Sequence, residues 1–146
     1  MDGLDSSIIE ILRGDGRASN AGIARQVGVS EGTVRRRLKR LIDEEYIQVV
    51  ALPDPVKMGL NSEALVGVQV DSDKVDEVAD ALAGLRGVGW VAVTTGPYDL
   101  FAWVTLESAE ALGIFLRAEL GSIRGVRRSE TFVSLTAKRR GHGASV

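Results

Sequence analysis

The 146-residue chain contains no cysteine and a single histidine. The first absence excludes disulfides and thiolate metal sites. The lone His142 stands in the glycine-rich terminal stretch Lys138-Arg139-Arg140-Gly141-His142-Gly143. There a solvated, flexible terminus is the expected reading, and a metal ligand or general base is not. With no Ser/His pairing and no phosphate-cradling glycine loop either, the expectation is that the chain is not an enzyme and carries no cofactor and no metal. No apolar run approaches the roughly 18 residues of a transmembrane helix. The start, Met1-Asp2-Gly3-Leu4-Asp5, lacks the basic and apolar regions of a signal peptide. A cytoplasmic protein with no membrane partner is expected. Charge of one sign is also missing overall: 18 basic against 20 acidic residues leave a net charge of −2. That argues against a chain that coats nucleic acid indiscriminately, and leaves room for a local basic patch.

What is present begins with three short helical patterns. Leu4 to Leu12 predicts a first helix with Asp5 as its N-cap, Leu4 stapled onto Ile9, and Ile8, Ile9, Ile11 and Leu12 as its apolar stripe; Gly14-Asp15-Gly16 ends it. A second begins near Ser19-Asn20, turns Ile23, Ala24 and Val27 inward and stops at Gly28. A third opens at Ser30 and runs to about Glu45, with Val34, Leu38, Leu41 and Ile42 at helical spacing. Only Gly28-Val29-Ser30 separates the second from the third, the tight connection of a helix-turn-helix. Ile47 to Leu52 then predicts a short strand, and Pro53-Asp54-Pro55 breaks regular structure. The expected division is 1–46 helix-turn-helix, 47–61 strand and hinge linker, 62–137 second domain and 138–146 flexible tail.

The second domain carries a weak strand–helix–strand duplication. One unit runs from Ala64–Val70 through a helix over about Ser72–Leu85 to Trp90–Thr95. The other runs from Tyr98–Leu106 through a helix over about Ser108–Leu120 to Arg128–Leu135. Both helices are expected to open on a serine cap and to be amphipathic, through Val75, Val78, Ala79, Leu82 and Leu85 and through Leu112, Phe115, Leu116 and Leu120. Two such units give a four-stranded antiparallel sheet with both helices on one face, the ferredoxin-like arrangement. The strands Leu65–Val70 and Leu100–Val104 are apolar in both phases, whereas a sheet with one wet face should alternate. A second copy of the chain is therefore expected on the far face, on which Val68 is placed. The acids Asp71, Asp73, Asp76 and Glu77 read as charges complementing a helix N-terminus rather than a metal site.

The third helix has the two faces that a DNA-reading helix requires. With Val34, Leu38 and Leu41 inward, it holds Arg35, Arg36, Arg37, Lys39 and Arg40 against Glu31 alone within 30–40. Ser30, Glu31, Gly32, Thr33, Arg35, Arg36, Lys39 and Arg40 are the expected DNA-facing set. Gly32 and Thr33 let the backbone approach the base edges, and Arg36, one turn on, suits a bidentate contact to guanine. Arg35, Lys39 and Arg40 suit phosphates. Arg37 borders the buried side and reads as structural.

These segments together resemble the leucine-responsive/asparagine regulator (Lrp/AsnC) family. The carrying residues are Leu4-Asp5; Asp15 to Asn20; Ile23-Ala24 through Val27-Gly28-Val29-Ser30; Thr33 to Leu41; Asp54-Pro55 before Gly59; Thr94 to Leu100; and Gly125 to Thr131. The resemblance implies an α+β chain with an N-terminal winged-type helix-turn-helix and a C-terminal ferredoxin-like βαββαβ (RAM) domain. It further implies a transcription regulator on double-stranded DNA at pseudo-palindromic promoter sites, a homodimer assembling to a tetramer or octamer, and an amino-acid effector. The implied effector-binding residues are Gly96, Pro97, Tyr98 and Asp99, with Ser129 and Thr131 from the last strand. Asp99 would pair with an α-ammonium. Gly-Pro-Tyr-Asp is also ordinary turn chemistry between strands, so a ligand-independent regulator whose second domain only assembles it stays open. Family members commonly carry an acid where this chain has Pro97, which removes an N–H donor and stiffens the loop. Relatives of this two-part fold include haem-pathway decarboxylases; such chemistry calls for histidines or cationic residues lining a cavity, and the only histidine here is in the tail.

Overall fold

The computed structural model describes residues 1–137; the tail 138–146, with His142 and the cations Lys138, Arg139 and Arg140, lies outside the described residues. The chain divides into a unit of residues Met1–Leu52 and a second beginning at Pro53.

The first unit is built from α1 (Gly3–Gly14), α2 (Asn20–Val27) and α3 (Glu31–Asp43). Ile8, Ile23, Ala24, Val34 and Leu41 form its buried centre, with Leu4, Ile9, Ile11, Leu12, Val27 and Val29 packed against it. Each fully buried aliphatic side chain contributes about 1.5–3 kcal/mol, which compensates for helices too short to persist alone. Ser19 and Ser30 cap α2 and α3 through their hydroxyls, and Gly28 ends α2 in the left-handed region. Three sequence expectations change. The N-cap of α1 is Asp2, and Asp5 is the reciprocal partner three residues in, fully buried. Leu4 therefore lies inside the helix, and the Leu4–Ile9 staple does not arise. Ile42 is exposed on α3. The stretch Ile47–Leu52 forms no strand; Val49, Val50 and Leu52 are exposed. Apolar β-branched residues favour a pleated surface only where another strand completes the ladder, and this unit supplies none.

The second unit comprises β1 (Ser62–Val70), α4 (Val75–Ala83), β2 (Val88–Val93), β3 (Leu100–Leu106), α5 (Ala109–Ile114) and β4 (Val126–Val133). The α5 helix widens into a π-turn over Phe115–Glu119 and closes through a 3₁₀ turn at Leu120–Ser122. The sheet order is β2-β3-β1-β4, with every neighbouring pair antiparallel, the ferredoxin-like βαββαβ topology expected. Val78 and Leu82 of α4, and Leu112, Phe115 and Leu120 around α5, bury against Ala64, Val66, Val68 and Val70 of β1 and Leu100, Ala102, Val104 and Leu106 of β3. Both helices therefore cover one face. Ser108 caps α5 as expected, but Ser72 does not cap α4, whose cap residue Lys74 makes no side-chain capping bond. The preceding residues are held in a turn instead: the Asp71 N–H donates to Gly125 O and the Lys74 N–H to Asp71 O.

The other face of the sheet is formed by Leu65, Gly67 and Gln69 of β1, with Phe101, Trp103 and Thr105 alongside on β3. Trp90 and Ala92 of β2 lie opposite Trp103 and Phe101, and Arg128, Glu130 and Phe132 of β4 oppose Gln69, Gly67 and Leu65. Val68 is not among them. It is fully buried under the helices, because side chains alternate along a strand and Val68 shares the phase of Val66 and Val70.

Candidate nucleic-acid interface and effector loop

In the first unit, the turn is closed by Gly28 and Val29 N–H groups, both donating to Ala24 O. Ser30 Oγ accepts from the Thr33 N–H at 3.2 Å and lies 2.9 Å from Thr33 Oγ1. Ser30 and Thr33 are thus tied to one another at the start of α3, beside exposed Gly32. The cations beyond them divide by partner. Arg35 pairs with Glu31 and Lys39 with Asp43, both at 2.5 Å, four residues apart and exposed. Such surface pairs contribute only about 0–1 kcal/mol, so either cation can exchange its carboxylate for a phosphate at little cost. Arg36 is exposed and engages no acid or acceptor in the described residues.

The remaining two guanidiniums turn back onto α1. Arg37 Nη1 donates to Asp2 Oδ2 at 2.7 Å and to Asp5 Oδ1 at 3.2 Å. Arg40 Nη2 donates to Asp5 Oδ2 at 2.7 Å, while its Nε is shielded with no hydrogen-bond partner. Arg37 is therefore structural, as its position on the helix suggests, and Arg40, expected among the outward cations, is engaged inside the unit. The Asp2 carboxyl sits below its ordinary value, first because the Asp5 N–H donates to it and then because Arg37 does. Sequence reasoning missed the role of Asp5. The available signal was an acid in the first turn of α1 matched by two arginines three residues apart on α3.

In the second unit, the loop between β2 and β3 is held by its own backbone and side chains. The Thr94 N–H donates to Asp99 O at 2.9 Å, and Thr94 Oγ1 donates to Tyr98 O at 3.0 Å. Gln69 Nε2 donates to Pro97 O at 2.8 Å. Asp99 Oδ2 accepts the Val70 N–H at 2.9 Å, replacing the ladder partner that β3 no longer offers beyond the Val68–Leu100 pair. Gly96 has φ +101°, with open space where a Cβ would stand, so the turn's conformation, not crowding, calls for glycine there.

Tyr98 lies across the outer sheet face. Its ring covers Gly67, where a Cβ would stand 2.9 Å from ring carbons, and meets Phe101 and Phe132 edge-on at centroid distances of 5.3 and 6.4 Å. Its hydroxyl donates to Glu130, and that hydrogen bond to the carboxylate raises the Tyr98 phenol above its ordinary value. The loop therefore meets Glu130, a residue the sequence reading did not select. Ser129 and Thr131 share the phase of Val68 and Val66 and so project to the opposite side of the sheet from the Tyr98 ring.

Comparison with known proteins places these features. A winged helix-turn-helix DNA-binding family model matches residues 1–48, and the Lrp/AsnC ligand binding domain matches residues 63–142. An HTH-type transcriptional regulator of Pyrococcus furiosus is 39% identical over 97% of both chains. The HTH-type transcriptional regulator Ptr1 of Methanocaldococcus jannaschii is 36% identical over 82% of both. Among solved structures, AsnC of Escherichia coli superposes with a TM-score of 0.87 at 26% identity, covering 97% of each chain. A Neisseria meningitidis regulator solved with L-Met superposes with a TM-score of 0.87 at 24% identity, over 96% of this chain and 93% of that one. With a helix-turn-helix in one unit, a ferredoxin-like sheet in the other and full-length relatives of the same description, the chain belongs to the Lrp/AsnC family of DNA-binding transcription regulators.

Proposed function

We propose that the protein reads specific duplex sites as a homodimer or higher assembly and that its second unit takes a small amino-acid effector. The observation that carries the DNA reading is the outward row of α3. Arg36 is exposed and unengaged there, beside Gly32 and the Ser30–Thr33 cap. Arg36 reads a guanine, Thr33 and Gly32 approach the base edges, and Ser30 and Glu31 shape the helix start. Arg35 and Lys39 exchange their carboxylates for phosphates. A two-fold assembly places two such helices on the two halves of a pseudo-palindrome. Assembly is supported by the sheet face opposite the helices, where Trp90 and Phe132 are 46% and 45% exposed beside half-buried Leu65, Phe101 and Trp103. Exposed aromatic side chains grouped on one sheet face support a protein contact there. No helix of the described residues is long and apolar enough to cross a membrane, in keeping with a cytoplasmic site of action.

For the effector, support comes from the match to a ligand binding domain and from the loop itself. Asp99 Oδ1 accepts no hydrogen bond in the described residues and suits an ammonium, while Gly96 and Tyr98 border it. A second reading, assembly without an effector, is favoured by one observation: Pro97 offers no N–H, and its carbonyl is already taken by Gln69.

Selection of bound fragments from random duplex DNA, with and without a panel of amino acids, tests the reading. A recovered two-fold motif is expected. On it, Arg36→Ala relaxes sequence preference, whereas Lys39→Ala weakens all duplexes alike and lowers the salt slope by about 1. Equal effects of both variants on selected and random DNA would overturn the role assignment. An effector raises the unfolding temperature of the chain, and none doing so favours the second reading.

A further inference from the structure

Resting on the DNA reading above, we propose that Asp5 is a positioning residue for recognition: one buried carboxylate that sets the rotation of α3 and withdraws Arg40 from the DNA-facing row. Asp5 is fully buried, a position at which a carboxylate persists only with partners. It has four donor contacts from three groups. The Asp2 N–H reaches Oδ2 at 2.9 Å, Arg37 Nη1 reaches Oδ1 at 3.2 Å and Oδ2 at 3.4 Å, and Arg40 Nη2 reaches Oδ2 at 2.7 Å.

Both guanidiniums leave α3 within one turn of each other, and both converge on a point more than thirty residues away in sequence. Val34 and Leu41 already pack α3 against the buried centre; two polar bonds to one anchor add a directional restraint on its remaining rolling and sliding. The anchor is itself held by the reciprocal capping of α1, in which Asp2 and Asp5 each accept the other's N–H, and by the positive end of that helix. The geometry of Arg40 shows what it gives up. Its Nε is shielded without an acceptor, although an arginine turned to solvent satisfies all its donors. Arg40 also stands four residues after Arg36, on the same helical row. Freed from Asp5, it would become a second long cation beside the reader and add affinity for any phosphate.

Asp5 thus lowers non-specific affinity while holding Arg36 in register. Neutralising it without changing its size separates this role from general support of the fold. Asp5→Asn is expected to steepen the dependence of log affinity on log salt by about 1 on random duplex, the unit that Arg40 adds on gaining a phosphate, while Arg37 stays on Asp2. Preference for the selected over the scrambled duplex should fall about tenfold, the scale of one misplaced bidentate base contact. Adding Arg40→Gln to Asp5→Asn should return about one unit of slope. Arg40→Gln alone, which keeps a donor for Asp5, should leave the wild-type slope unaltered, and this arm stands even where Asp5→Asn fails to fold. A folded Asp5→Asn chain with unchanged slope and preference, or a slope reduced by Arg40→Gln alone, would overturn the proposal while leaving the DNA reading intact. A wild-type chain that binds no duplex would overturn the DNA reading and, with it, this one.

Discussion

Asp2 shows how much one exposed residue can carry. Its carboxylate caps α1 through the Asp5 N–H and also accepts from Arg37, and both interactions are stronger to the charged form. Its folded value is depressed, so the stabilisation is fully present above the ordinary carboxylate value of about 4. It is lost as pH falls through the lower folded value. Asp2→Asn keeps a capping oxygen but removes the titrating charge. Thermal unfolding followed from neutral to acid pH should show the wild type losing its advantage over this variant below about pH 4; parallel curves would contradict the assignment. At this scale the sequence marked the outward cations of α3 and grouped Arg40 with the phosphate-facing Arg35 and Lys39. Arg35, Lys39 and Arg40 are equivalent in a periodicity argument, and only the position of α1 shows that Arg40 meets Asp5.

At the scale of elements, local chemistry proved legible where the local partner is part of the same turn. Ser19, Ser30 and Ser108 cap their helices as read, because the N–H each accepts lies three residues on. Ser30→Ala should therefore cost about 1 kcal/mol in denaturant unfolding, with α3 otherwise in place; an unchanged midpoint would show that the Ser30 hydroxyl does not support the helix. Ser72 has the same sequence signature and fails as a cap, because the neighbouring Asp71 N–H bonds Gly125 O across the fold. Ile47–Leu52 fails for the complementary reason: its residues suit a strand, but a strand is a relation between two segments. The loop Gly96–Asp99 was visible as a turn. That Tyr98 lies over Gly67 and bonds Glu130 depends on the β1–β4 pairing, which no local pattern encodes.

For the whole molecule, the consequential surface is the apolar sheet face. Trp103→Glu should reduce the mass measured by light scattering to that of a single chain while leaving helical content unchanged, since Trp103 lies outside the buried centre. Val68→Glu, at a fully buried position under the helices, should instead abolish folding, because an unpaired charge there has no compensation. A folded Trp103→Glu chain that keeps the wild-type mass would rule out this face as the assembly surface.

The amino-acid sequence by itself determined the helix-turn-helix, the strand–helix–strand duplication and the presence of a second apolar sheet face, since each follows from periodicity and near-neighbour chemistry. The tertiary structure decided which residues occupy that face, which loop neighbours meet Tyr98 and which arginines remain free. Those outcomes depend on strand register and helix packing. A one-residue change of phase moves Val68 from one side of the sheet to the other, and a buried carboxylate more than thirty residues away turns an outward-reading cation into a brace.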